Sequence, residues 1–245
     1  MAIYKTSNPA LNKKAFSNFK PSNGSDAMTI DGTVNKTLIM VILVGISAFI
    51  TWGNVPSQYV KPILIVGVIL GLIVALITIF KKEWSPVTAP IYSIVEGGVL
   101  GIISFMFEAM FPGIVMQAIL LTFGILFVLL MLYKSKVIKA TENFKLGIFA
   151  ATGGIALVYI ISMVLRMFGT DIPLIHESGL VGIGFSFFVV VIASLNLVLD
   201  FDFIESGVDN KVPKYMEWYG AFGLIVTLIW LYLELLRLLA KLKSR

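Results

Sequence analysis

The chain has 245 residues, 58% of them hydrophobic and 13% charged, with a mean hydropathy of +0.95. Soluble domains are about 45–50% apolar and about 25% charged, so this balance excludes an ordinary soluble globule and points to a chain that uses lipid as its solvent. With no cysteine and one histidine, disulfides, thiolate sites and paired-histidine metal sites are excluded; the net charge of +5 sits beside apolar runs as a topology signal, not as a nucleic-acid surface.

Residues 1–36 include Asn8, Pro9, Asn12, Pro21, Asn23, Gly24 and Asp31 and hold no apolar core. They are expected to form a polar tail, with room for a short interfacial helix at its start. A secretory signal would need an apolar run nearer the beginning. A membrane-crossing helix needs about 20 mostly apolar residues. Seven runs qualify or nearly qualify, near 37–53, 60–80, 88–110, 113–133, 146–168, 179–199 and 215–240. The third and fourth are separated only by Phe111-Pro112-Gly113, good turn residues. Continuous apolar runs, not short alternating ones, exclude a barrel. The expected architecture is an all-α polytopic bundle of about seven transmembrane helices over 37–245, preceded by the tail.

Lysine and arginine orient such a bundle. The tail holds Lys5, Lys13, Lys14, Lys20 and Lys36; the even loops hold Lys81 and Lys82, then Lys134, Lys136, Lys139 and Lys145, then Lys211 and Lys214. The odd loops hold only Lys61 and the boundary residue Arg166. This places the N-terminus in the cytoplasm. Arg237, Lys241, Lys243 and Arg245 break the pattern. Either the seventh segment crosses fully despite them, the expected arrangement, or Gly220 and Gly223 let it re-enter. Trp52, Tyr59, Trp84, Tyr92, Tyr133, Tyr215, Trp218 and Tyr219 fall near the proposed ends, as headgroup-level aromatics do; Trp230 and Tyr232 lie inside the last segment instead. Gly67 with Gly71, and Gly97 with Gly101, are four apart and read as close-packing faces. No internal repeat is evident, so an inverted-repeat transporter is not expected.

Ionisable groups inside the spans are informative, because a charge in hydrocarbon costs roughly 2.5–3.5 kcal/mol on insertion scales. Glu96 lies within the third segment beside Gly97 and Gly98, as a carboxylate either bonded to a neighbouring helix or facing a polar cavity. Asp200 and Asp202 close the sixth segment; two residues apart, they point about 200° away from each other on a helix. Asn196, four before Asp200, shares its face, which makes Asp200 the inward-facing candidate and leaves Asp202 and Glu205 as solvated carboxylates. Glu234 and Arg237 are neighbours on one helical face, either a self-neutralising pair or an inward carboxylate modulated by the arginine.

At these residues the chain resembles the Bax inhibitor-1 (YccA-like, transmembrane BAX inhibitor motif) family. The matching pieces are Ser7-Asn8-Pro9-Ala10-Leu11, the Ser93–Gly101 stretch around Glu96, Asp200-Phe201-Asp202-Phe203-Ile204, and Leu231-Tyr232-Leu233-Glu234. The resemblance implies two three-helix layers around a central seventh helix, and a pH-sensitive calcium leak across a bacterial cytoplasmic membrane. It also implies a carboxylate pair, here Asp200 and Glu234, that shares a proton as a latch and serves as the calcium-attracting site. The implied partners are the lipid bilayer and calcium or protons, with no cofactor and no nucleic acid. The rival reading is a non-conducting interaction or stress-response protein that modulates a membrane protease, with residues 1–36 as the docking element. An enzyme is not expected: His176 falls in a loop beside Pro173, and no hydrolase or paired-histidine motif accompanies it.

Overall fold

In hydrocarbon every backbone N–H and C=O must be satisfied within the protein, and the helix does this within one segment. The computed structural model describes residues 26–169 and 179–244, apart from the side chains of Arg166 and Met167. Most of the expected tail, His176 and Arg245 lie outside the described residues. The described chain forms α1 (Ile30–Thr51), α2 (Ser57–Phe80), α3 (Ser85–Met110), α4 (Ile114–Lys134), α5 (Glu142–Met167), α6 (Leu180–Asp209) and α7 (Met216–Lys243). A 3-10 turn, Lys82–Trp84, links α2 to α3. All seven helices are long and apolar enough to cross a membrane, and the described residues contain no strand, so the chain is an integral membrane protein of the all-α class.

Helix ends depart from the hydropathy reading wherever side chains, not apolarity, decide them. Helix α1 begins at Ile30, well before the apolar run near residue 37, because Thr29 caps it: Gly32 N donates to Thr29 Oγ1 at 3.0 Å, and Asp31 lies in the first turn. Lys36, counted above with the tail, is therefore helical. Helix α6 continues to Asp209, so Asp200, Asp202 and Glu205 stand on the helix and not beyond it. Its apolar stretch Leu180–Leu199 is about 30 Å long at 1.5 Å per residue, the thickness of the hydrocarbon core, and Asp200 opens the polar extension. Between α3 and α4, Gly113 takes a left-handed φ of 80°, which glycine adopts without strain. The Glu108 carboxylate satisfies the first amides of α4, accepting from Gly113 N at 2.6 Å and Val115 N at 3.1 Å. Helix α7 runs unbroken through Gly220 and Gly223, so the re-entrant arrangement lacks the interruption it needs.

The chain packs as two compact units: residues up to Ile102 with Asp200–Ile225, and Ile103–Leu199 with Val226 onwards. In the first, the paired glycines are helix contacts. Gly97 and Gly101 of α3 lie against α1, where a Cβ on Gly97 would fall 2.5 Å from the Val44 carbonyl oxygen. Across this seam Ser47 Oγ donates to the Ile94 carbonyl at 2.6 Å and Thr51 Oγ1 to the Gly98 carbonyl at 2.9 Å. Gly67 and Gly71 of α2 receive Val99 and Glu96 of α3 in the same way.

The second unit is centred on Ile148 and Ile155 of α5 with Val189 and Ile192 of α6, and Tyr159, Phe185 and Trp230 pack around them. Tyr232 of α7 hydrogen-bonds Ser104 of α3 at 2.7 Å. These contacts explain why Trp230 and Tyr232 stand away from the interfacial aromatics: the Trp230 ring packs on the apolar cluster and the Tyr232 hydroxyl finds its partner inside the protein.

Candidate functional site

Polar groups held inside a membrane bundle must be satisfied by one another, so their partners define what each can do. In the first unit, the half-buried Glu96 lays its carboxylate over the bare backbone of Gly71, and a Cβ on Gly71 would collide with Oε1. The glycine thus makes the room that the carboxylate occupies. Asp200 is half-buried on α6 and faces Gly223 of α7, with its Oδ1 3.5 Å from where a Cβ would stand. Asp202, expected as a solvated carboxylate, is half-buried like Asp200, while Glu205 is exposed as expected. Asn196, in the second unit, donates through Nδ2 to Thr152 Oγ1 of α5 and to the Ile192 carbonyl, both at 2.9 Å. It ties α6 to α5.

Glu234 is the centre of the second unit's polar chemistry. It is 1% exposed. Tyr159 OH of α5 donates to both carboxylate oxygens, at 3.0 and 3.1 Å, and Arg237 Nη1 donates to Oε1 at 2.6 Å. The Arg237 guanidinium also lies over the Tyr159 ring, 5.3 Å from its centroid. The ion pair and the aromatic face together neutralise a carboxylate that hydrocarbon would otherwise reject. Asp200 and Glu234 belong to different units, and each is positioned by its own.

Two features escaped the sequence reading. Tyr159 carries the signal that marks Tyr232, a tyrosine in mid-span whose hydroxyl needs a partner. The other is Glu217 in the first turn of α7, which is 0% exposed and accepts from Thr29 N at 3.0 Å, from Thr29 Oγ1 at 2.9 Å and from Lys36 Nζ. Lys36 in turn sits over the Trp218 ring, 5.6 Å from the centroid. Backbone bonds close the same clasp, with Met28 N donating to the Val212 carbonyl at 2.8 Å and Lys214 N to the Asp26 carbonyl at 2.9 Å. Beside Trp218 and Tyr219, Glu217 reads as one more interfacial polar residue, and nothing local announces a partner in α1.

Among the described residues no three histidine or carboxylate groups converge as a metal site requires.

A family model described as Bax inhibitor 1 like matches residues 8–244. No curated protein matches the chain. The match takes in all seven helices, Glu96, Asp200 and Glu234, and covers nearly the whole sequence: the chain belongs to the Bax inhibitor 1 like family of membrane proteins.

Proposed function

We propose that this protein is a pH-sensitive cation leak, with calcium as the transported ion, and that Asp200, Glu234 and Glu96 are its cation- and proton-responsive groups. The observation that carries the reading is Glu234, a carboxylate kept 1% exposed within a membrane-crossing helix. Carboxylates at such depth mark proton and ion routes more often than they serve as scaffolding. Family membership supports the same reading. The latch expected from the family is a proton shared by Asp200 and Glu234, since two carboxylates brought together do not both ionise cheaply. Its loss makes them repel and leaves hard oxygen donors of the kind calcium prefers. In this reading the arrangement of Glu234 against Arg237 and Tyr159 is the unlatched state, with the carboxylate satisfied by its own unit. The protein acts without catalysis, in a bacterial cytoplasmic membrane, with its N-terminus in the cytoplasm and α7 crossing fully.

Liposomes loaded with a calcium dye test this. Asp200→Asn and Glu234→Gln should each change calcium entry and flatten its pH response, and a true latch makes the double variant non-additive. Unchanged flux and pH response in both single variants would refute the reading.

A second reading is favoured by one observation: Glu217–Lys36 and Glu234–Arg237 are satisfied internally, as purely architectural ion pairs are. The chain would then be a non-conducting partner that modulates a membrane protease through residues 1–36. Purified protein that passes no ion, together with a protease that co-purifies only when those residues are present, would establish it.

A further inference from the structure

Beyond Glu234, the second unit holds polar groups that the latch does not use. Lys241 lies two helical turns beyond Glu234 on the same face of α7. Its ammonium donates to the Gly182 carbonyl oxygen at 3.0 Å and to Ser186 Oγ at 2.8 Å, both in the opening turns of α6. Ser186 is buried. A backbone carbonyl and a hydroxyl are the oxygen donors that a free cation would take in exchange for its hydration shell. On α5, Ser162 stands one helical turn past Tyr159, the tyrosine that hydrogen-bonds Glu234. Ser162 is 4% exposed, and its Oγ has no hydrogen-bond partner among the described residues. Ser93, Thr122 and Ser194 return their hydroxyls to the carbonyl four residues back, the usual solution in a membrane helix; Ser162 does not. Ser162 is three residues past Tyr159 and so shares the face that carries Tyr159 OH to Glu234. A buried hydroxyl in this position calls for water. Among the described residues, the charged and titratable groups facing Glu234 along this column are Tyr159 from α5, and Arg237 and then Lys241 from its own helix; α6 contributes the neutral Ser186 and the Gly182 carbonyl.

We propose that Lys241 is a tethered cation, an ammonium that occupies the oxygen-lined mouth of the α5–α6–α7 column and closes a water route through Ser162 to Glu234. This rests on the leak reading for its purpose but not for its geometry. A free monovalent or divalent cation, or hydronium, is the ligand that competes with the ammonium. Flux is limited by how often Lys241 swings clear.

The chain has no cysteine, so Ser162→Cys gives a single thiol. In nanodiscs, its reaction with a cationic methanethiosulfonate reagent should be slow beside Lys241. With Lys241→Gln it should be about thirtyfold faster, the ratio expected once two hydrogen bonds of about 1 kcal/mol each no longer hold the mouth shut. Lys241→Arg, which keeps the charge, should stay slow. Equal rates in all three, or no labelling in any of them while a cysteine placed at exposed Lys139 reacts, would overturn the proposal. Calcium entry measured in liposomes on the same variants separates the two readings. Flux that persists while labelling ignores residue 241 sinks the tethered cation alone. Labelling that depends on residue 241 in a protein without flux sinks the leak alone.

Discussion

Replacing Glu217 tests whether the α1–α7 clasp is held by charge. The carboxylate is 0% exposed and takes three donors, two from Thr29 and one from Lys36. Glu217→Ala strands all three. Breaking a buried pair from one side costs about 3–5 kcal/mol, because the surviving charge is left without compensation. The Lys36 side chain is 17% exposed and keeps the Trp218 ring, so part of its charge reaches water and the lower end applies. A loss of about 3 kcal/mol lowers the melting temperature of a chain this size by roughly 6–12 °C. Lys36→Met should cost at least as much, since Glu217 has no exposure through which to recover hydration. The double variant Glu217→Leu with Lys36→Met should recover most of the loss, because apolar replacement of both partners is often neutral. Melting in detergent followed by tryptophan fluorescence is the assay, with Trp218 as a local reporter. A shift below about 2 °C for Glu217→Ala, or single losses that simply add in the double variant, would refute the claim that this ion pair fastens α1 to α7.

Other outcomes follow from contacts of the same kind. Gly97→Leu drives a side chain into the backbone of Val44, which cannot give way, and should destabilise by about 1–3 kcal/mol in the same melting assay. Gly71→Ala meets the movable carboxylate of Glu96 instead, so its cost should largely vanish when combined with Glu96→Ala, whereas Gly223→Ala, 3.5 Å from Asp200 Oδ1, should stay within about 0.5 kcal/mol of the parent. Tyr159→Phe removes the donor to both Glu234 oxygens and should cost about 1.5–3 kcal/mol, more than Tyr232→Phe, whose partner Ser104 is neutral; equal losses would refute the claim that Tyr159 braces Glu234.

The seven spans, the Pro112-Gly113 turn and the glycine contacts were legible in the sequence, because a run of about 20 apolar residues and a four-residue spacing are properties of a single strand of text. So were Glu96, Asp200 and Glu234 as membrane carboxylates, since any charge stands out against such a background. What hydropathy misjudged were ends set by side chains: Thr29 starts α1 before the apolar run does, and α6 carries its polar residues on to Asp209 as helix.

Partners were another matter. Glu234 and Arg237 pair within one turn of one helix, and their spacing already implied it. Glu217 finds Lys36 across 181 positions, Tyr159 finds Glu234 across 75, and Lys241 finds Ser186 across 55. Membrane helices pack through shape and a few hydrogen bonds, with no hydrophobic gradient between them, so a helix's apolar pattern does not encode which neighbour it meets. Composition and spacing therefore determined that acidic and basic groups lie within the membrane-crossing segments; only the packing of α5, α6 and α7 decided that Glu234 is held by a tyrosine and that Lys241 donates to the Gly182 carbonyl and the Ser186 hydroxyl.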